Sequence, residues 1–293
     1  MKKPSDKIRR VGLIGNSTKV SCADAITRAA RLIRAARREV LCDVDTAAMA
    51  GLRATICPDT AQLARKADLL LVFGGDGTML RVAREIAGSQ TPMLGVNIGA
   101  LGFLTAVPSD HLARALQRVW NGEFTFEARS LVEARARTGG RTVQQSALND
   151  IVISRGIASR LIELEVGVDG EPLTNYRCDG LIVSSPTGST AYSLAAGGAV
   201  VHPTADVLQL TPICPHTLSN RSLILPFSAV LTVRVARPTP VILSADGNVV
   251  TELSAGDEIV VRRSRRTVRL MHLKGSSFYE TLRVKLHWRG ANL

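Results

Sequence analysis

The apolar residues of this chain change their spacing near residue 124, and this change limits the folds that the chain can adopt. Before it, short and almost continuously apolar segments, such as VGLIGN (11–16) and LLLVF (69–73), alternate with stretches in which apolar residues recur every three or four positions. This alternation is typical of buried parallel strands covered by helices. After it, apolar and polar residues alternate one by one, as in LIELEVGV (161–168), which is typical of half-buried antiparallel strands.

We therefore expect two domains of different class. Residues 1–123 are predicted to form a doubly wound α/β domain, and residues 124–275 an antiparallel β-sandwich. A length of 293 residues suits two domains.

Three helices of the first domain have recognisable ends. Ser21, followed by Asp24, predicts the start of a helix with apolar residues at helical spacing. A second helix is predicted over 78–87, where Gly88 ends it, and a third over 109–120 with its serine as the cap.

In the second domain, Asp-Gly pairs at 169–170 and 246–247 and the Gly-Asp pair at 256–257 predict turns between strands. The segment TGSTAYSLAAGGAVV (187–201) is helix-like and interrupts this series of strands. A segment that departs from the local pattern is where we expect a functional site.

Composition narrows the classes of partner. Lys and Arg exceed Asp and Glu by 12, which favours anionic ligands, but the basic residues are spread along the chain and aromatic residues make up only 4%. No apolar run reaches the length of a membrane span, and the basic N-terminus MKKPSDKIRR is not followed by an apolar leader segment. We therefore expect small anionic substrates, with neither nucleic acid nor a membrane as partner.

The five cysteines are scattered, without a CxxC pair, and we expect reduced structural thiols in a cytoplasmic protein. Cys214 and His216 are the only pair whose spacing suggests a metal, and two ligands without further partners make a poor site.

The segment GGDGT (74–78) lies between a predicted strand and a predicted helix. Its glycines let backbone N–H groups approach an anion, and the positive end of the helix favours phosphate, so Gly74, Gly75 and Thr78 are predicted to bind phosphate. A carboxylate inside such a turn is costly beside phosphates unless it holds a metal ion or removes a proton. Asp76 is therefore the candidate catalytic residue.

Two further groups carry polar chemistry. Ser and Thr residues cluster over 184–193 at the start of the helix-like segment, where hydroxyl and free N–H groups suit sugar hydroxyls and phosphate oxygens. Arg177 and Asp179 flank Cys178 at alternate positions of a predicted strand and suit the two ends of a polar ligand. The pair Asn149-Asp150 is by itself an ordinary turn pair.

Taken together, these segments strongly resemble the NAD kinases of bacterial type over nearly the whole chain. The matching segments are GGDGT at 74–78, NIGALGFLT at 97–105, ALND at 147–150, CDGLIVSSPTGSTAYSLAAGG at 178–198 and LTPICPHTLSNR at 210–221. GGDG alone is shared with lipid kinases and phosphofructokinases, whereas the segment at 178–198 is specific. Ser185 and Ser222 depart from the usual Thr and Pro, at positions outside the expected chemistry.

The resemblance implies ATP-dependent phosphorylation of NAD at the 2′-hydroxyl of its adenosine ribose, which gives NADP. It implies that Asp76 accepts the proton of that hydroxyl, that ATP is the phosphate donor and that a divalent metal ion, Mg²⁺, takes part. The residues that it implies as NAD contacts besides Asp76 are Gly77, Arg81, Asn149, Asp150, Arg160, Arg177, Asp179, Thr190, Ala191, Tyr192, Ser193, Leu194, Ala195 and Asn248.

Among these contacts, the resemblance implies that Asn149 and Asp150 hold the adenosine and that residues 190–192 line the adenine, with Tyr192 stacking on it. Asp179 and residues 193–195 would meet the nicotinamide half. The resemblance further implies that residues 276–293 return to the first domain and that the protein is a homodimer or homotetramer.

Two alternatives remain at this stage. One is another kinase of the GGDG type that acts on a lipid or a sugar, although the chain lacks a strongly amphipathic helix rich in Trp, Phe and Leu for a lipid surface. The other is a non-catalytic regulator that binds a dinucleotide or a nucleic acid, which would not require an aspartate in the glycine turn.

Overall fold

The structure is a computed structural model that describes residues 4–16, 21–99, 102–156, 160–216 and 221–288. Two of the sequence segments singled out above are therefore described only in part, since residues 100–101 and 217–220 lie outside these ranges. The chain divides into two compact units, of which the first comprises residues 1–128 and 268–293 and the second residues 129–267. Residues 124–128 and 268–275 thus lie in the first unit, whereas the sequence-based boundaries assigned them to the second domain.

The first unit is built on a parallel sheet with the strand order β5-β4-β1-β2-β3, and β6 pairs with β5. Chain order runs outward from β1 to β3 on one side and continues with β4 and β5 on the other. The bounds of these strands are β1 Arg10–Gly15, β2 Glu39–Asp43, β3 Thr55–Cys57, β4 Leu69–Gly74, β5 Met93–Asn97 and β6 Val107–Pro108.

Helices pack on both faces of this sheet, because the central strand β4 is apolar and buried at every position. Leu71 and Phe73 of β4 belong to a core shared with the first and fifth helices. On the opposite face, Leu63 of the third helix and Leu70 approach Gly12. The bounds of the helices in this unit are α1 Ser21–Ala35, α2 Val44–Ala50, α3 Thr60–Lys66, α4 Asp76–Glu85, α5 Leu112–Asn121 and, near the C-terminus, α7 Phe278–Lys285.

The predicted helices exist, with shifted ends. Helix α4 begins at Asp76, because Gly75 occupies its N-cap position, and it ends at Glu85 rather than at residue 87. The predicted cap Ser109 instead opens a short 3₁₀ turn, and α5 begins three residues later at Leu112.

The second unit contains two antiparallel sheets around one apolar core, as the alternating pattern predicts. One sheet has the order β14-β13-β12-β9-β16-β17, and in the other β11, β10, β15 and β18 are neighbours and β7 pairs with β18 and β8. The bounds are β7 Phe124–Thr138, β8 Arg141–Ala147, β9 Asp150–Arg155, β10 Ile162–Val168, β11 Glu171–Cys178, β12 Gly180–Ser184, β13 Val207–Ile213, β14 Leu223–Pro226, β15 Leu231–Val235, β16 Val241–Ala245, β17 Asn248–Leu253 and β18 Glu258–Leu273.

The predicted Asp-Gly turns are confirmed. Asp169 and Gly170 have φ of 52° and 89°, and Asp246 and Gly247 have φ of 48° and 75°. Positive φ at both central residues is the requirement of the two-residue hairpin turn that matches the twist of the strands.

The segment 187–201 is less helical than its sequence suggests. It consists of a 3₁₀ turn over Thr187–Thr190, the single helical turn α6 over Tyr192–Ala195, and irregular chain that follows a left-handed Gly197. Its serine and threonine side chains make hydrogen bonds within the second unit, as described below.

Among the described residues, no helix has both the length and the apolar character needed to cross a membrane. All five cysteines are free thiols, and Cys214 is the exposed one.

Candidate functional site

The glycine turn of the first unit lies where the strand order of the parallel sheet reverses. Strands β1 and β4 are neighbours. The chain continues from β1 to β2 towards one edge of the sheet and from β4 to β5 towards the other edge. Gly74 ends β4, and the chain after β1 lies beside it, where the Asn16 N–H donates to the Phe73 carbonyl at 3.1 Å. Open α/β sheets bind ligands in the crevice at the carboxyl ends of the strands that flank such a reversal. Chain topology alone therefore marks this turn as a binding position.

The three glycines of the turn differ in whether the fold requires a glycine at their position. A Cβ on Gly74 would lie 2.3 Å from Oγ1 of Thr78, so close packing excludes a side chain there. A Cβ on Gly75 or Gly77 would have no heavy atom within 4 Å, and neither residue has positive φ. Neither the backbone nor the packing of the unit therefore requires glycine at 75 and 77. The space beside them is open to a molecule from outside.

The N-terminus of α4 is uncapped by any side chain, because its N-cap residue is Gly75. The first N–H groups of a helix have no partner within the helix, and the helix dipole is positive at this end. The Thr78 N–H already donates to the Gly75 carbonyl at 3.0 Å, and its side chain is buried. The N–H groups at the very start of α4 are thus better placed for a phosphate than the Thr78 hydroxyl.

Asp76 is held in place by the loop that follows β5. Its Oδ2 accepts from the Phe103 N–H at 2.8 Å, and its Oδ1 accepts from the Leu104 N–H at 3.0 Å and the Thr105 hydroxyl at 3.4 Å. A carboxylate offers about four lone-pair positions, so at least one remains for another donor. The side chain is half-buried. The result is a fixed carboxylate beside the open surface of Gly75 and Gly77.

Arg81 lies on α4 one turn beyond Asp76. Its guanidinium pairs with Glu85 at 3.1 Å and donates to the Gly15 carbonyl at 3.4 Å, at the carboxyl end of β1. It also lines a cleft of about 330 Å³ that contains three aspartates, Asp43, Asp45 and Asp59. Arg81 is therefore close to the point where the strand order reverses, but its guanidinium is already paired with Glu85 and lies in an acidic cleft.

A second group of predicted residues comes together in the second unit. The Asn149 carbonyl accepts from the Ser185 N–H at 2.8 Å and from the Ser184 hydroxyl at 3.3 Å. A Cβ on Gly188 would stand 2.2 Å from the Asn149 carbonyl oxygen, so only glycine permits this approach. The structure thus brings the Asn149-Asp150 pair against the start of the 187–201 segment, although 35 residues separate Asn149 from Ser184.

Asn149 and Asp150 differ in exposure and chemistry. Asn149 is half-buried, and its side-chain amide has no partner within the described part of the chain. Asp150 is buried, and its pKa is raised to about 7, first by burial and then by the charge of Asp246. Asn149 therefore offers a free amide, and Asp150 changes its protonation near neutral pH.

The hydroxyl groups of 184–193 are mostly used inside the unit, which differs from the expectation that they face a ligand. Ser189 bonds the Pro186 and Val201 carbonyls, and Ser193 bonds Thr211 at 2.9 Å. The Thr187 hydroxyl accepts from Arg129 at 3.1 Å. Thr190, Ala191 and Leu194 are half-buried, whereas the Tyr192 ring is 48% exposed and Ala195 is exposed. The Tyr192 ring is therefore the large side chain of this segment that remains exposed to solvent.

The remaining predicted contacts lie apart from this group or are already paired. Strand β11 ends at Cys178, so Asp179 lies in the connection and not on one strand with Arg177. Asp179 pairs with Arg155 at 3.1 Å, and Arg177 pairs with Glu163 at 3.0 Å. Arg160 is exposed and makes no hydrogen bond or ion pair with the described residues. The Asn248 amide donates to the Asp246 carbonyl at 3.0 Å within its own turn.

Two features of these sites were not predicted from the sequence. One is the loop 102–105 that holds Asp76. The other is Asp246, whose carboxylate accepts from the N–H groups of residues 148, 149 and 150. Asp246 was identified only as a turn residue, and no local pattern indicates a contact that spans 97 positions.

A preformed metal site is not found among the described residues, which contain no group of three or more His, Cys, Asp or Glu side chains suited to one ion. This includes Cys214 and His216.

Comparison with known proteins agrees with the two-unit architecture. Residues 11–124 match the family model of the ATP-NAD kinase N-terminal domain, and residues 148–273 match that of the ATP-NAD kinase C-terminal domain. An NAD kinase of Ralstonia nicotianae is 41% identical over 281 residues, which cover 96% of this chain and 93% of that protein. An NAD kinase of Paraburkholderia phytofirmans is 40% identical over 97% of this chain and 95% of that protein.

Two solved structures are similar in fold. Yeast NADH kinase, solved in complex with NADH, superposes with a TM-score of 0.89 at 27% identity, covering 98% of this chain and 90% of that one. An NAD kinase from Archaeoglobus fulgidus, solved in complex with ATP, has a TM-score of 0.74 at 23% identity over 96% of this chain and 100% of that one, a likeness of fold alone.

Proposed function

This chain belongs to the ATP-NAD kinase family, and from that premise we propose which of its residues carry out the reaction of the family, the phosphorylation of NAD to NADP with ATP as donor. The family favours this reaction over phosphorylation of a lipid or a sugar and over a non-catalytic regulator. The roles of individual residues, the metal ion, the assembly and the location in the cell are our proposals.

The observation that carries the proposal is the fixed carboxylate of Asp76 beside two glycines that the fold itself does not need. A ribose hydroxyl is a poor nucleophile at neutral pH, and a positioned base contributes about 10²–10⁴ in rate. Asp76 would accept the proton of the 2′-hydroxyl of the adenosine ribose as the oxygen of that hydroxyl bonds to the γ-phosphorus of ATP. The bond between this phosphorus and the β,γ-bridging oxygen would break, and ADP would leave. Oδ2 is the better acceptor of that proton, since it receives one hydrogen bond whereas Oδ1 receives two.

The phosphates of ATP would bind at the N-terminus of α4. Gly75 leaves the backbone N–H groups accessible, and the helix dipole favours negative charge. Gly77 would lie beside the ribose. Gly74 and Thr78, which were predicted to bind phosphate, support the turn by packing against each other. The excess of 12 positive charges over the whole chain favours the approach of both polyanionic substrates.

The adenosine of NAD would be held by the second group of residues. The free amide of Asn149 and the carboxyl of Asp150 suit ribose hydroxyls and adenine nitrogens, because an amide and a carboxyl group at its pKa both donate and accept. The exposed Tyr192 ring would stack on the adenine beside Thr190 and Ala191. We propose as further NAD contacts Arg81, Arg160, Arg177, Asp179, Asn248 and residues 193–195. The side chains of Arg81, Arg177, Asp179 and Asn248 already bond to the protein and would have to exchange those bonds for the ligand.

A divalent cation, Mg²⁺, would be held by the phosphate oxygens of ATP rather than by a protein cluster. Bound there, it would neutralise charge on the transferring phosphoryl group. We also propose a homodimer or homotetramer. The five free thiols support a reducing compartment, and we propose the cytoplasm.

The direct test is incubation of the purified protein with NAD, ATP and Mg²⁺, followed by detection of the product with an NADP-specific dehydrogenase. Parallel reactions contain NADH, diacylglycerol or fructose 6-phosphate as acceptor. We expect NADP from NAD and no product from the lipid or the sugar. Excess chelator is expected to stop turnover without lowering the melting temperature of the ligand-free protein. Failure to form NADP, or full turnover in chelator, would contradict the proposal.

A further inference from the structure

The Asp-Gly turn between β16 and β17 reaches the chain that precedes β9. The carboxylate of Asp246 accepts from three consecutive N–H groups, those of Leu148 at 3.0 Å, Asn149 at 2.8 Å and Asp150 at 3.3 Å. In return, the Asp246 N–H donates to the Asp150 carbonyl at 3.0 Å. The two strands are already paired next to this point, with Ile151 opposite Ala245. The side chain of Asp246 therefore binds all three backbone N–H groups of residues 148–150.

The same three residues are fixed on their carbonyl side by another part of the unit. The Ser185 N–H donates to the Asn149 carbonyl at 2.8 Å, the Ser185 hydroxyl donates to the Leu148 carbonyl, and Gly188 packs against Asn149. The backbone of 148–149 thus has its carbonyl groups bound by the end of β12 and its N–H groups bound by Asp246. The Asn149 side-chain amide takes no part in these bonds and has no hydrogen-bond partner among the residues that the structure describes.

Backbone donors buried without a partner are rarely tolerated, and Leu148 and Asp150 are 1% and 4% exposed. If the Asp246 carboxylate is removed, residues 148–150 have to move to find other acceptors. Such movement changes the direction of the Asn149 amide and the depth of the Asp150 carboxyl. A group that binds a ligand must be held within fractions of an ångström to keep its affinity.

We propose that Asp246 is the positioning residue of the NAD site: its carboxylate orders residues 148–150 so that Asn149 and Asp150 meet the adenosine of NAD. This inference rests on the proposed NAD-binding role of those two residues. Asp246 itself does not touch the substrate. Its loss is therefore expected to weaken NAD binding selectively and to leave the handling of ATP intact.

The chain offers a matched control in Asp169. It opens the other two-residue Asp-Gly turn, with φ of 52°, and its carboxylate accepts from the Val230 N–H at 2.8 Å while its own N–H donates to the Val230 carbonyl at 2.9 Å. The turn type and the reciprocal pair of bonds are the same, but Asp246 accepts from two further N–H groups, and the segment that Asp169 holds precedes β15. A general loss of stability would appear in both aspartate variants, whereas a positioning role would appear only at Asp246.

The experiment compares Asp246→Gly and Asp169→Gly, since glycine keeps the left-handed turn and removes the acceptors. NAD binding is measured by calorimetry, and KM for NAD and for ATP by steady-state kinetics. We expect Asp246→Gly to raise the Kd and KM for NAD about tenfold or more, with KM for ATP within about twofold, because several hydrogen bonds to a charged group are lost. Asp169→Gly is expected to leave all three values within about twofold.

Asp246→Asn provides a second variant if Asp246→Gly does not fold. Asparagine tolerates positive φ and keeps one acceptor oxygen, so we expect an increase in the Kd for NAD of about threefold to tenfold. An unchanged Kd for NAD in a folded Asp246 variant would overturn the proposal, and so would an equal increase in Asp169→Gly. Failure of the unaltered protein to form NADP would instead overturn the proposed function, which the ratio of variant to unaltered Kd does not test.

Discussion

Gly102 lies against the carboxylate of Asp76, so closely that a Cβ on Gly102 would stand 1.9 Å from Oδ1 of Asp76. The next residues of the same loop donate the hydrogen bonds that hold this carboxylate. The position of the proposed base is therefore set by a loop 26 or more residues away in the chain, and a side chain at 102 must displace one of the two.

Gly102→Ala is expected to lower kcat by about 10²-fold, because a displacement of about 1 Å at a reacting group costs that much. Steady-state kinetics with NAD and ATP measure the effect. The control is Gly156→Ala, since a Cβ on Gly156 meets its nearest atom at an ordinary 3.5 Å. Equal kcat values for the two alanine variants would show that Asp76 does not need this contact.

Gly77→Ala separates folding from function. Nothing lies within 4 Å of a Cβ at this position of α4, and alanine favours a helix, so the free energy of unfolding is expected to stay unchanged or rise by about 0.5–1 kcal/mol. Activity is expected to fall by about tenfold or more, because the methyl group would occupy the space proposed for the ribose. Denaturant unfolding and kcat/KM for NAD test the two halves. A variant that is both stable and fully active would contradict the proposal that the ribose lies beside Gly77.

Asp150 is expected to make stability depend on pH. Burial, followed by the charge of Asp246, raises its pKa to about 7, so folding favours the protonated acid. Its stabilising contribution is complete below the unfolded pKa near 4 and is lost as pH rises towards 7. Asp150→Asn, which is neutral at every pH, should therefore gain stability relative to the unaltered protein by roughly 2–4 kcal/mol between pH 4.5 and pH 8. Denaturant unfolding without ligand measures this difference. If the free energies of unfolding of the two proteins change equally with pH, the raised pKa of Asp150 is contradicted.

Tyr192→Ala is expected to weaken NAD binding by about 1 kcal/mol, a fivefold increase in Kd, through the loss of stacking. Because the ring is 48% exposed, stability should change little. Tyr279→Ala is a suitable control, since Tyr279 is 60% exposed on α7 and has no proposed role in binding. Calorimetry compares the Kd for NAD of the two variants. Equal values would show that Tyr192 does not contact NAD.

Local patterns in the sequence predicted the fold well. The continuous apolar strands such as β4 and the alternating strands such as β10 differ in period because the former are covered on both faces and the latter on one. The Asp-Gly pairs predicted their turns because only certain residues adopt left-handed φ. Each of these signals lies within a few residues of the element that it predicts.

The site could be predicted only as far as its motifs extend. The hydrogen bonds from Phe103 and Leu104 to Asp76, and those that Asp246 receives, join residues that are far apart in sequence. No periodicity encodes such contacts. The hydroxyls of Ser189 and Ser193 were expected to face a ligand. In the structure the Ser189 hydroxyl bonds backbone groups of the irregular chain that follows, and the Ser193 hydroxyl bonds the Thr211 hydroxyl.

The kcat of Asp76→Asn, measured beside NAD binding by calorimetry, tests the central claim most directly. Asparagine is nearly the same size and keeps one acceptor for the loop 102–105, but it cannot take a proton. We expect a folded protein, a Kd for NAD within about tenfold of the unaltered value, and a kcat lower by about 10² or more. A preserved kcat with weakened NAD binding would make Asp76 a ribose-binding residue, and no change in either value would contradict the proposed active site.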